Sequence, residues 1–302
     1  MLRRAAVSLV VVLALAYPLL GCGGRPSTAT SSGQAIETGE TLGALTIAKT
    51  SARVVSMSGT GTHRTSSFRF HLAANEPYAY LWRCTDLRSD SSFRADLVAV
   101  SSGITSDLSL IDVGPRHGNP ALGSGSDSAP AADHFTIQVS ARDCRWSFDF
   151  LAGGRSLVTY GDQRLGFAVT YDPVKLGVRP VSLRSAFGWA IPGSGAALFA
   201  NSERFMYYIL ILASRHLGYS PTRAAVEELS GTRRQGSVQA CQLAGAQGFM
   251  TRIRQADQAG LIYLVAKGTL VYEVAVVYDA ASEGKCEESM KPVIGSIRFF
   301  GH

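Results

Sequence analysis

Between residues 51 and 152 apolar side chains recur at every second position, and this alternation constrains the chain more than any other feature. Tyr78, Tyr80, Trp82 and Cys84 share one parity, as do Phe93, Ala95 and Leu97. Phe68, Phe70 and Leu72 alternate with Arg69 and His71. Phe135, Ile137 and Val139 alternate with Thr136 and Gln138, and Cys144 leads in phase into Trp146, Phe148 and Phe150. A period of two places such residues on one face of a pleated strand, so each run predicts a half-buried strand. Clusters of Gly, Ser, Asn and Pro divide the runs and no helical period intervenes, which predicts an antiparallel β-sandwich over residues 51–152. The stretch from Pro115 to Asp133, rich in Gly, Ser, Ala and Pro, reads as a long mobile loop.

After Gly153-Gly154 the pattern changes, and residues 155–302 read as an α+β domain with a mostly antiparallel sheet and flanking helices. Leu157 to Tyr160 and Leu165 to Tyr171 predict a hairpin turning through Gly161-Asp162. Leu183 to Ile191 and Phe205 to Ala213 predict further strands, the second so continuously apolar that a central position follows. Ser220 followed by Pro221 predicts a helix start, running to about Arg233 with Ala225, Val226 and Leu229 inward. Phe249, Thr251 and Ile253 begin another strand. Leu261 to Ala266 and Thr269 to Tyr278 flank a tight turn at Lys267-Gly268. Ser282 caps a last helix through Cys286, Met290 and Val293, and Ile297 to Phe300 closes the chain as a short strand.

The start of the chain is of another kind. Arg3 and Arg4 precede an apolar run from Ala5 to Leu20, about 16 residues and therefore short of the ~20 that span a bilayer. Residues 1–21 read as a signal peptide. Leu19-Leu20-Gly21-Cys22 resembles the lipobox of bacterial lipoproteins. That resemblance implies cleavage before Cys22, lipid on that cysteine, and an exported protein. Its place would be the outer face of the cytoplasmic membrane, or the envelope of a diderm bacterium. Residues 22–50 then read as a lipidated terminus and flexible tether, spanning about 30 Å as a coil; the alternative is that its later part, Leu42 to Ile47, adds an edge strand.

Four cysteines remain, Cys84, Cys144, Cys241 and Cys286. An even number in an exported chain predicts two disulfides. Three pairings exist; the simplest joins Cys84 to Cys144 and Cys241 to Cys286, one bridge in each half. Neither a CxxC pair nor histidines at ligand spacing occur, so neither a metal nor a cofactor is expected.

Three segments of the second half, GFAVTYDPVKLGV, GLIYLVAKGTLVYEVAVVY and SIRFF, together look like the PsbP-like fold, which also appears in LpqN-type lipoproteins of mycobacteria. The likeness covers residues 157–300. It implies a non-catalytic binding or assembly role and supplies no active-site residues.

Motifs for chemistry are sparse. Gly193-Ser194-Gly195 lacks the spacing of a nucleophile elbow and reads as a loop. Gly59-Thr60-Gly61-Thr62 lacks the lysine and context of a phosphate loop. The six histidines are dispersed, none at i, i+4, and Asp86, Asp90 and Asp96 lack the ligand pattern of a calcium loop. Loss of Arg3 and Arg4 with the signal lowers the net charge from +6 to +4, without a basic stripe, so nucleic acid is not an expected partner. Trp82, Trp146 and Trp189 could stack on a sugar ring, although tryptophans in phase on strands usually pack in a core. The sequence therefore predicts a non-catalytic, membrane-anchored, extracytoplasmic protein that binds a protein partner or assists an envelope complex. The alternative is a receptor for carbohydrate or another small ligand, built on the sandwich.

Overall fold

The computed structural model describes residues 43–60, 64–65, 69–88, 90–103, 105–111, 121–183, 193–200, 207–214 and 220–300. Strands dominate, and all their pairings are antiparallel. The first ten are β1 (Gly43–Thr50), β2 (Arg53–Thr60), β3 (Arg64–Thr65), β4 (Phe70–Leu72), β5 (Pro77–Thr85), β6 (Ser92–Ala99), β7 (Thr105–Ile111), β8 (Ala121–Ser128), β9 (Asp133–Arg142) and β10 (Arg145–Ala152). The next five are β11 (Ser156–Asp162), β12 (Phe167–Tyr171), β13 (Leu176–Leu183), β14 (Gly193–Ala200) and β15 (Tyr207–Ser214). Helix α1 (Arg223–Ser230) leads to β16 (Arg234–Leu243), β17 (Ala246–Gln255), β18 (Gln258–Lys267) and β19 (Leu270–Asp279), and α2 (Glu283–Ser296) to β20 (Arg298–Phe299).

Two sheets enclose the first core. One has the order β2-β10-β5-β8; the other has β3-β9-β6-β7, with β4 also on β9. Trp82 and Cys84 of β5 and Trp146, Phe148 and Phe150 of β10 face Phe93, Leu97, Phe135 and Ile137 across the interior. The predicted alternation holds in β5, β6, β9 and β10. It fails for β8, which occupies residues read as a mobile loop. Its Ala-Leu-Gly-Ser-Gly-Ser run carries no apolar period, because small residues make room there for neighbouring rings. Gly123 lies opposite Trp82, where a Cβ would come within 2.9 Å of the indole, and a Cβ at Gly125 would overlap the Tyr80 hydroxyl.

A second correction concerns the tether. Gly43–Thr50 is a strand, paired with β11 from Gly43 opposite Asp162 to Thr50 opposite Ser156. Its Leu45 and Ile47 pack on the second core. This sheet runs β1-β11-β12-β20, and the hairpin between β11 and β12 turns over residues 163–166, beyond the predicted Gly161-Asp162.

The largest sheet has the order β13-β14-β15-β19-β18-β17-β16. β15 and β19 lie inside it, as their apolar runs require, and β19 is buried from Leu270 to Tyr278 on both faces. Gly193-Ser194-Gly195 is not a loop but the start of β14. A side chain at Gly195 would collide with the Ile211 carbonyl, so the close approach of β15 demands glycine there. The strand predicted from Leu183 to Ile191 lies almost wholly outside the described residues, and β13 takes the segment before it.

Helix α1 starts later and stops earlier than predicted. Thr222, not Ser220, is its N-cap, its hydroxyl accepting from the Ala225 N–H at 3.1 Å, and Gly231 at φ 50° ends it. Val226 and Leu229 cover one face of the large sheet. Cys286, Met290 and Val293 of α2 pack on the other face, as predicted. At the end of α2 the Ser296 hydroxyl donates to the Thr170 carbonyl at 2.7 Å and accepts from the Thr170 N–H at 2.9 Å. One side chain thus takes the place of a strand residue until β20 pairs with β12.

The two parts meet through β8. Its Ser124 hydroxyl accepts from the Val178 N–H at 3.1 Å and is hydrogen-bonded to the Tyr171 hydroxyl at 2.8 Å, while Ser126 donates to the Val174 carbonyl at 2.7 Å. Ala79, Leu81, Leu122 and Leu151, on the outer face of the sandwich sheet, belong to the same core as Tyr171, Leu198 and Tyr272.

Candidate functional site

Of the residues singled out from sequence, Cys22 and Trp189 lie outside the described residues. Trp82 and Trp146 are placed, and they are only 7% and 2% exposed. Trp82 stacks on Phe93 with ring centroids 5.9 Å apart, and Phe93 also meets Trp146 at 6.2 Å. A Cβ at Gly59, opposite Trp146, would come within 2.9 Å of the indole, so that ring lies across β2 as Trp82 lies across β8. Neither indole offers a face to a sugar. The candidate ligand-binding role of both is therefore corrected to a core role, with the sheet geometry as the reason.

The four cysteines stand as thiols in this structure. No two of them stand at disulfide distance, so neither predicted bridge is formed, but Cys84 and Cys144 are neighbours at the ends of adjacent strands. Ser91 accepts from the Arg88 N–H at 2.7 Å and donates to the Asp143 carbonyl at 2.6 Å, and the Cys144 thiol reaches the Ser92 carbonyl at 3.9 Å. Burial pushes both thiols up, Cys84 the more strongly, which suppresses the reactive thiolate in the folded protein. Cys241 and Cys286 differ from this pair. Cys241 is half-buried on the edge strand β16, whereas Cys286 is buried on α2, which packs mainly over β12 and β19. β17 and β18 lie between β16 and β19 in the sheet order, and the pairing of Cys241 with Cys286 is not what the fold brings together.

The structure gathers polar groups that sequence reasoning missed. Glu273, in the middle of β19, is fully buried on the face toward α1, between Leu212 and Leu264 in register. Ser214 lies on the same face, buried and with its hydroxyl lacking a hydrogen-bond partner. Arg233, just past α1, donates to the Leu229 carbonyl at 2.9 Å. Its guanidinium is drawn down by burial and back up by Tyr208 and Glu273, while burial raises the Tyr208 phenol against the pull of Arg233. One signal was legible: Glu273 is the single acid in the run from Leu270 to Tyr278, in phase with Val271 and Ala275. A carboxyl, a guanidinium and two hydroxyls thus share one otherwise apolar layer under α1.

A second group sits where β1 joins β11. Tyr160 and Asp162 are fully buried, and the Tyr160 hydroxyl ends over Gly43, the cross-strand partner of Asp162. Asp162 accepts from the Leu165 N–H at 3.0 Å through one oxygen; its second oxygen and the Tyr160 hydroxyl are buried without partners. Burial holds the Asp162 carboxyl above the usual carboxylate range, against the pull of the Leu165 N–H and Arg164.

No helix among the described residues is long and apolar enough to cross a membrane. No family model and no curated protein matches the sequence.

Proposed function

We propose that this chain is an exported, lipid-anchored, non-catalytic protein that binds a protein partner or assists a complex in the cell envelope. The observation that carries the reading is the join between the start of the chain and its fold. Leu19-Leu20-Gly21-Cys22 is followed by 20 residues, and then by the first strand at Gly43.

Residues 51–152 form a sandwich unit in this reading and residues 155–302 an α+β unit of the PsbP-like kind. The hairpin of β18 and β19, the terminal helix α2 and the closing strand β20 support the second assignment. The reading includes one bridge. Beyond the membrane, Cys84 and Cys144 exchange with an oxidoreductase disulfide before folding buries them; one Sγ–Sγ bond forms, and two electrons and two protons pass to the oxidant.

A glycan receptor built on the tryptophans loses Trp82 and Trp146 to the core. A partner protein has other surfaces to meet, among them the long edge strand β16 with Arg234, Gln235, Ser237 and Gln239 exposed. Crosslinking in intact membranes, followed by recovery of the chain, is expected to return a reproducible protein partner. A glycan array signal from the soluble body, with no crosslinked protein, would overturn the proposal.

A further inference from the structure

We propose that His71 and His134 form a two-histidine site for Zn2+ on the outer face of the sandwich. The two are far apart in the chain but directly opposite in register, His71 on β4 and His134 on β9. Their neighbours Leu72 and Phe135 point into the core, so both imidazoles point outward, and both residues are exposed. The ring centroids are 5.3 Å apart with planes at 70°.

That separation is ordinary for an edge-to-face ring pair and also matches the one two ligands of a tetrahedral ion would show. With Zn–N near 2.0–2.1 Å, each centroid stands about 3.2 Å from the metal, and an angle of about 109° between ligands puts the centroids about 5.2 Å apart. A right-angled arrangement, as in square-planar or octahedral ions, would need about 4.5 Å. The backbones that carry the two rings are already fixed. The His71 carbonyl accepts from Arg53 at 2.8 Å, the His134 N–H donates to Asp133 at 2.7 Å, and the His134 carbonyl accepts from the Val100 N–H at 2.8 Å. Ion binding therefore orders only two side chains, which keeps its entropic cost low. Among the described residues no three His, Cys, Asp or Glu side chains converge on one point. The site thus offers two protein ligands, and water fills the remaining positions.

Titration calorimetry of the full chain in detergent with Zn2+ at pH 7.5 tests the site. His71→Ala and His134→Ala are exposed changes, checked for folding by circular dichroism. The unmodified protein is expected to bind one ion that each variant weakens at least about tenfold. The thiols are unchanged in both variants, so Zn2+ held by cysteine would leave affinity the same in all three proteins. That result, or no heat of binding up to millimolar Zn2+, would overturn the site and reduce the pair to a ring contact.

Discussion

Single atoms decide where the aromatic rings of the sandwich can lie. Trp82 rests over Gly123 and Trp146 over Gly59, and either glycine given a Cβ places carbon 2.9 Å from an indole. Gly123→Ala is therefore expected to lower stability by about 1–3 kcal/mol, the usual range for overpacking, as measured by urea denaturation; an unchanged midpoint would show that the ring moves freely. Asp162 leads to a prediction of opposite sign. Its carboxyl is held high by burial, so the folded state favours the protonated form. For an acid raised on folding, the penalty is absent below the unfolded pKa and grows as pH rises through the folded value. Asp162→Asn keeps an oxygen to accept from the Leu165 N–H and removes the charge. Thermal unfolding should show the variant at least as stable as the parent at pH 7, with the advantage lost near pH 3; a less stable variant at pH 7 would mean that the charge is needed.

Among the elements, α2 is held at both ends by side chains. At its start Arg252 pairs with Glu287 at 2.8 Å and Glu283 at 3.0 Å, and the Tyr278 hydroxyl donates to Glu287 at 2.9 Å. Burial raises the Glu287 carboxyl, but the bonds from Tyr278 and Arg252 outweigh it and the net shift is downward. A carboxylate lowered on folding contributes stability above its unfolded pKa and loses it as pH falls through the folded one. Glu287→Gln should cost no more than about 1 kcal/mol at pH 7, since the Arg252 partner is half exposed, and the difference from the parent should vanish once the pH has fallen through the lowered folded pKa. A pH-independent cost would assign the loss to packing.

Elements with a strong period were legible in the sequence: β5, β6, β9, β10, β15, the β18–β19 hairpin and α2. Elements that succeed by being small were not. β8 and the start of β14 are built on Gly, Ser and Ala because a ring or a carbonyl occupies the space of the missing side chain, and small residues carry no period. β1 was legible only as the alternative to a tether, because an edge strand with only Leu45 and Ile47 packed inward looks like polar linker. The candidate site was less legible still, because Glu273, Arg233 and Ser214 come together only through sheet order, and His71 meets His134 only through register.

For the whole molecule, the sandwich is not closed on itself. Leu81 and Leu151 leave its outer face to join the second core, and Ser124 and Ser126 tie β8 to the chain around β13. Calorimetry of the parent should give a single unfolding transition, and Leu81→Ala should lower it by the equivalent of about 2–5 kcal/mol without splitting it. Two separated transitions in the parent would mean that the shared core couples the parts only weakly.

Location is the central claim, and it rests on Cys22. The most direct measurement is the mass of the amino-terminal peptide of the protein recovered from membranes of a bacterial host. The account predicts a chain that begins at Cys22 and carries acyl groups on that residue. A chain that keeps residues 1–21, or begins at an unmodified Cys22, would contradict it.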